Sequence, residues 1–166
     1  MIVKKLLLFF IFLFVVNCTN ITNKNKEFNL VDCPKIFFSS ENTVYVNGEK
    51  NTLELDKINY KAVLNNYGFT KECSNDKNFN YYLIEILSLV EPINPKNNSI
   101  NLPIFVFLYD GNNELIEKRY FRFDNKLIYD DQKKQYELTE VINNLKITTS
   151  IEIEINYMVV GFVNLK

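Results

Sequence analysis

Apolar and polar residues alternate along most of this chain with a period of two, and no segment keeps a convincing period of 3.6. After Cys33, runs rich in Ile, Val, Phe and Tyr are cut at short intervals by Gly, Pro, Asn and Asp. That is the pattern of half-buried strands joined by turns. Strands are predicted over residues 35–39 (KIFFS) and 43–46 (TVYV), with Asn47-Gly48 as the turn that follows. Over 58–64, Ile58, Tyr60, Ala62 and Leu64 alternate with Asn59 and Lys61. Residues 79–90 (FNYYLIEILSLV) form the longest apolar run beyond the N-terminus, and their Tyr and Ile content favours strand over helix. Pro92 and Pro95 end that run in an Asn-rich loop, 91–101. Residues 103–109 (PIFVFLY) are apolar on both faces and predict a central strand. Asp110-Gly111-Asn112-Asn113 predicts a hairpin turn, with 115–123 (LIEKRYFRF) returning. Residues 124–135 read as a polar loop, and 136–145 fit either a short strand and turn or a helical turn capped by Thr139. In the last segment, 150–163, Ile151, Ile153, Ile155 and Tyr157 oppose Glu152, Glu154 and Asn156, which predicts one long strand.

Seven or eight short strands predict an all-β domain over residues 33–166. The expected form is an antiparallel, immunoglobulin-like β-sandwich, with a small β-barrel as the alternative. The chain has no Trp, so the Cys…Trp…Cys signature is missing and the likeness is one of architecture.

The N-terminus follows a different pattern. Lys4 and Lys5 precede an unbroken apolar run of 11 residues, 6–16, and polar residues follow. A membrane-spanning helix needs about 20 residues, so the run fits the core of a signal peptide over 1–17. Val15-Val16-Asn17-Cys18 resembles the lipobox of bacterial lipoproteins, with Asn17 standing where those proteins favour Gly, Ala or Ser. The resemblance implies acylation of Cys18 and removal of residues 1–17. The competing expectation is an ordinary signal peptide, cleaved or retained, beside a bystander cysteine. Thr19 follows Cys18 in place of the Asp that retains some lipoproteins at the inner membrane. The expected address is the cell envelope, facing the periplasm, with the outer membrane favoured. Residues 18–32 carry Asn and Lys without hydrophobic period and read as the lipidated cysteine and a flexible tether.

With Cys18 set aside, Cys33 and Cys73 remain. In an exported protein two cysteines tend to pair, so one disulfide is expected. A buried pair of free thiols or a metal site are the other readings, and two cysteines without histidine make a poor zinc site.

Composition narrows the chemistry. The chain has 166 residues, 19 basic and 20 acidic, for a net charge of −1. This argues against a nucleic-acid binder. The absence of histidine removes every mechanism with a His general base or ligand. Asn occurs 25 times and Ala once, a bias that suits an AT-rich genome, so Asn-rich stretches carry no special meaning here.

Few residues suggest chemistry. Lys118-Arg119-Tyr120-Phe121-Arg122-Phe123 holds both arginines, interleaved with rings, and could grip phosphate or polysaccharide. The plainer reading is a strand with one solvated face. Asp130-Asp131 could join a calcium site, but Lys133-Lys134 opposes it. Glu152 and Glu154 read as a solvated sheet face rather than an acid–base pair. Gly68, Gly111 and Gly161 are isolated, and Ser39-Ser40 lacks a Lys or His partner at motif spacing. Ten Tyr are many for one core, so an exposed Tyr patch suited to protein binding is expected, at a place the sequence does not fix.

The order of these features resembles a family of small, uncharacterised alphaproteobacterial lipoproteins. The matching residues are VVNC at 15–18, Cys33-Pro34, INYKA at 58–62, Cys73, LPIFV at 102–106 and YMVVGF at 157–162. The resemblance implies an envelope lipoprotein with a β-sandwich domain and brings no catalytic residue. The expected function is therefore a non-enzymatic, membrane-tethered binding module without cofactor or metal. Its partners would be membrane lipid through acylated Cys18 and an envelope protein or glycan. A structural or assembly subunit of an envelope complex is the alternative.

Overall fold

The structure, a computed structural model, describes residues 29–48 and 54–164. The signal segment 1–17, Cys18 and the tether up to residue 28 lie outside the described residues.

Twelve strands follow one another: β1 (Asn29–Leu30), β2 (Lys35–Phe38), β3 (Val44–Gly48), β4 (Ile58–Phe69), β5 (Ser74–Asn75), β6 (Phe79–Pro92), β7 (Ser99–Tyr109), β8 (Leu115–Lys126), β9 (Tyr129–Asp130), β10 (Gln135–Tyr136), β11 (Thr139–Ser150) and β12 (Tyr157–Phe162). Eight of them have four or more residues, in line with the seven or eight expected. Among the described residues one 3-10 turn, Leu55–Lys57, breaks the succession.

The strands form two packed sheets. In the first, β6 is central, with β11 on one side and β4 on the other, and β3 lies outside β4. The short β5 prolongs the line of β4 along β6, and β1 pairs outside β5. The second sheet runs β2–β12–β7–β8. Every pair is antiparallel except β2–β12, which is parallel. The small β9–β10 hairpin stands apart from both sheets.

Alternation explains the core. Inward residues on β4 are Ile58, Tyr60, Ala62 and Leu64; on β6 they include Tyr82, Ile84, Ile86 and Val90. Leu102, Ile104, Val106 and Leu108 of β7 meet them from the second sheet, with Met158, Val160 and Phe162 of β12. Each fully buried side chain of this kind contributes roughly 1.5–3 kcal/mol.

The fold is a sandwich and not a closed barrel. The edge strands β8 and β11 share no ladder; side chains bridge them. Arg119 Nη2 donates to Thr148 O at 2.8 Å, Asn125 Nδ2 to Asn143 Oδ1 at 3.2 Å, and Ile128 N to Thr139 Oγ1 at 3.1 Å.

Four segments differ from the sequence reading. Residues 29–31, expected to end the flexible tether, join the domain: Asn29–Leu30 pairs with β5, Val31 N donates to Cys73 O, and Val31 packs against the core. Residues 151–156 are a turn and an extended link, not the start of a strand. The reason is the partner: β6 begins at Phe79, opposite Ser150, and beyond it Ile151 N makes one last bond, to Asn78 O, before the chain turns away. The chain then crosses to the other sheet, held by Asn80 Nδ2, which donates to the carbonyls of Ser150 and Ile153. The ambiguous stretch 136–145 belongs to β11, and Thr139 is a buried strand residue rather than a helix cap. The polar segment 124–135 contains the end of β8 and the β9–β10 hairpin.

Candidate functional site

The central strand β7 carries consecutive apolar residues, so half of them must point away from the core. Ile104, Val106 and Leu108 point in; Phe105, Phe107 and Tyr109 point out. The register aligns more rings beside them. Tyr157 of β12 pairs with Tyr109, and Tyr120 of β8 pairs with Phe105. Phe37 of β2 pairs with Val159, which in turn faces Phe107. Six rings thus share the outer face of one sheet and span all four of its strands.

The rings contact one another across the strands and along β7. Tyr109 and Tyr157 stack with centroids 4.8 Å apart and planes 6° from parallel. Phe37 meets Tyr157 edge-on at 5.7 Å. Phe105 stacks on Phe107 at 4.4 Å, and Phe107 meets Tyr120 edge-on at 6.3 Å. Such pairs contribute about 0.5–1.5 kcal/mol each beyond their buried area. The two rings on the outer strands are the most open: Phe37 is 51% and Tyr120 63% exposed. Phe105 is almost buried because it lies over Gly161, whose missing Cβ leaves room for the ring.

Charge on this face is one-sided. Lys35, Lys118, Arg122 and Lys126 are exposed and share the face by alternation. Lys118 Nζ sits 5.3 Å from the Phe107 centroid, a cation over a ring face. Asp124 is the carboxylate among them, and Asn101 Nδ2 donates to it. The opposite sheet carries mixed charge on its outer side, with Lys61 and Lys146 beside Glu85, Glu91 and Glu140. A chain of net charge −1 therefore presents a cationic, aromatic face.

The other sequence candidates take up structural places. Arg119, in the Lys118–Phe123 segment, turns inward. It forks onto Glu117 with two bonds of 2.8 Å while it bonds Thr148. Arg122, three residues on, turns outward and has no side-chain hydrogen bond or ion pair among the described residues. The segment is divided between a bridge and the aromatic face. Asp130 closes the β9–β10 turn. Its Oδ1 accepts from Gln132 N and Lys133 N, and its Oδ2 lies 3.1 Å from Lys133 Nζ. The Lys133 backbone N–H, followed by its ammonium, lowers the Asp130 pKa. Those oxygens are committed to the turn, and Asp131 is exposed. Glu152 and Glu154 are exposed in the link 151–156 and not on a strand face. Ser39 Oγ accepts from Asn42 Nδ2. Among the described residues no group of three or more Cys, Asp or Glu could hold a metal ion. Cys33 and Cys73 form a disulfide with Cα atoms 5.3 Å apart.

A polar cleft of about 250 Å³ opens at another place, beside Asn59, Tyr60 and Asn101. Its walls are amides, hydroxyls and the Lys96 ammonium. Tyr60 shapes it from below. Its buried hydroxyl donates to Asn101 O and accepts from Asn101 N, each at 2.8 Å, and burial pushes its pKa up to about 12.

Sequence reasoning expected an exposed Tyr patch without placing it. The signal was present in the run PIFVFLY, because a sandwich strand with two apolar faces has one to spare. The fold and this face together define a two-sheet β-sandwich with a cationic aromatic surface. In comparison with known proteins, no family, no curated protein and no solved structure matches this chain.

Proposed function

We propose that this protein is a non-enzymatic, lipid-anchored binding module of the cell envelope, acting through the outer face of β2–β12–β7–β8. The observation that carries the reading is the six-ring face with its excess of lysine and arginine. An apolar surface rimmed by polar residues is the common mark of an interaction site. The rings sit on strands and not on loops, so they meet a partner already ordered, at little entropic cost. Residues 1–17 supply the export signal and Cys18 the lipid attachment, through the lipobox-like VVNC. Two or more acyl chains hold lastingly where one binds reversibly. The polar cleft, with amides and hydroxyls for walls, lacks the paired carboxylates of an acid–base hydrolase.

Two experiments test the reading. The intact mass of protein extracted from its own membrane should correspond to a chain starting at Cys18 plus acyl chains. Cys18→Ser should release the protein from the membrane, and retention of that variant defeats the anchor. A photo-crosslinking residue at position 120 should give adducts in the native envelope. The same residue at position 142, exposed on the opposite sheet, should give none. Equal labelling at both positions removes the aromatic face as the binding surface.

A further inference from the structure

We infer that the aromatic face takes an acidic polysaccharide, a chain of sugar rings that carries carboxylates. This rests on the binding-module reading above and names the chemistry of its partner.

Four observations lead there. The rings stand in contact across the strands at 4.8 to 6.3 Å, and along β7 at 4.4 Å, on rigid ladder positions. Phe37 and Tyr120, more than half exposed, offer open ring surface at the two edges of the sheet, whereas a protein hot spot buries an anchor in a pocket. A pyranose is a chair with an apolar C–H side. It lays apolar C–H groups on an aromatic face while its hydroxyls point outward.

The surface also carries phenol hydroxyls. Tyr109, Tyr120 and Tyr157 have no side-chain hydrogen bond among the described residues, so their O–H groups are open to sugar hydroxyls.

The third observation is charge. Four cationic side chains surround the rings, and the Asp124 carboxylate among them is engaged by Asn101. Arg122 presents an uncommitted guanidinium fork, whose geometry matches a carboxylate with two parallel bonds. A neutral glucan would leave these cations unused.

The fourth is extent. Phe37 and Tyr120 are the most open rings and lie on the two outermost strands. Three strand spacings separate those strands, roughly 14 Å. One sugar cannot reach both, whereas a chain of several units laid across the strands can.

The test uses the full mature chain, extracted in detergent, and three probes followed by calorimetry. Polygalacturonate has sugar rings and carboxylates, dextran has rings without charge, and polyglutamate has carboxylates without sugar rings. The expected result is binding of polygalacturonate at least tenfold tighter than either comparator. Arg122→Gln and Tyr120→Ala should each weaken it about tenfold or more. Both residues are exposed, so their far-ultraviolet circular dichroism should match the parent. Phe37→Ala supplies an independent probe at the other edge of the face. Equal or tighter binding of polyglutamate overturns the inference, because charge alone would then suffice. Absence of polygalacturonate binding, or binding unchanged in all three variants, overturns it as well. The crosslinking at position 120 separates the two levels. Protein adducts there without polygalacturonate binding sink the glycan and spare the binding module, and the absence of both sinks both.

Discussion

The Tyr60 phenol couples the two sheets through one hydroxyl, which both donates to and accepts from the Asn101 backbone. Burial raises its pKa from 10.0 to about 12, so the folded state favours the neutral form. The linkage follows from that sign. Below pH 10 the residue is protonated in both states and its contribution is complete. Between pH 10 and 12 the unfolded chain releases the proton first, and stability falls by about 2 kcal/mol. Urea unfolding from pH 8 to 11.5 should show this loss, and Tyr60→Phe should flatten the slope. That variant should also start less stable by about 1–3 kcal/mol, since two backbone groups lose their partner. Ser88 presents the opposite case. It is fully buried on β6, and its Oγ has no hydrogen-bond partner. Ser88→Ala should therefore raise stability, by about 1 kcal/mol in a urea titration, because an unpartnered buried hydroxyl costs more than the small void it leaves.

Among the elements, β8 shows how one strand serves two ends. Its inward residues seal the open side of the sandwich through Arg119, and its outward residues build the aromatic face. Arg119→Lys should lower stability by about 1–2 kcal/mol, since an ammonium cannot hold the Glu117 fork and the Thr148 carbonyl together. The midpoint of urea unfolding reads that change. Most elements were legible because alternation fixes strands wherever one face is buried. The run 79–90 became β6, and Asp110-Gly111-Asn112-Asn113 became the expected turn, with Asn113 at φ 64° and Asp110 Oδ1 accepting from two backbone N–H groups. Alternation does not say where a partner strand stops. Residues 151–156 keep the period of two and yet leave the sheet, because β6 ends opposite Ser150. Nor does it foresee a bulge: β4 runs on through Asn65 to Phe69 after a shift in register beyond Leu64. The aromatic site was half legible for a related reason. Apolar character on both faces of β7 marks a central strand equally whether its outer face is covered or open.

At the scale of the whole molecule, the two faces of the sandwich differ in character. One carries six rings and an excess of cations, the other mostly aliphatic side chains, the Phe79–Tyr81 pair and charges of both signs. Long-range pairings hold these layers, and the disulfide closes 40 residues of them, from before β2 to the turn after β4. Removing it should cost about 4 kcal/mol in the chain-entropy account. A Cys33→Ser, Cys73→Ser double variant should unfold at correspondingly lower urea, and the native protein should resist alkylation until a reductant is added.

The same crosslink determines how the domain responds to pull. Under the lipid attachment proposed at Cys18, a pull on the chain would arrive at β1. That strand holds by a two-residue ladder, which alone would peel open one bond at a time. Three residues further on, the Cys33–Cys73 bond passes the tension to the segment beside β5, which lies against the long central strand β6. Fraying stops there, and β2 behind it stays seated along β12 at the edge of the aromatic face. The covalent bond acts as a strain relief at the point where a cord enters a casing. Only reduction would let such a load reach the aromatic face.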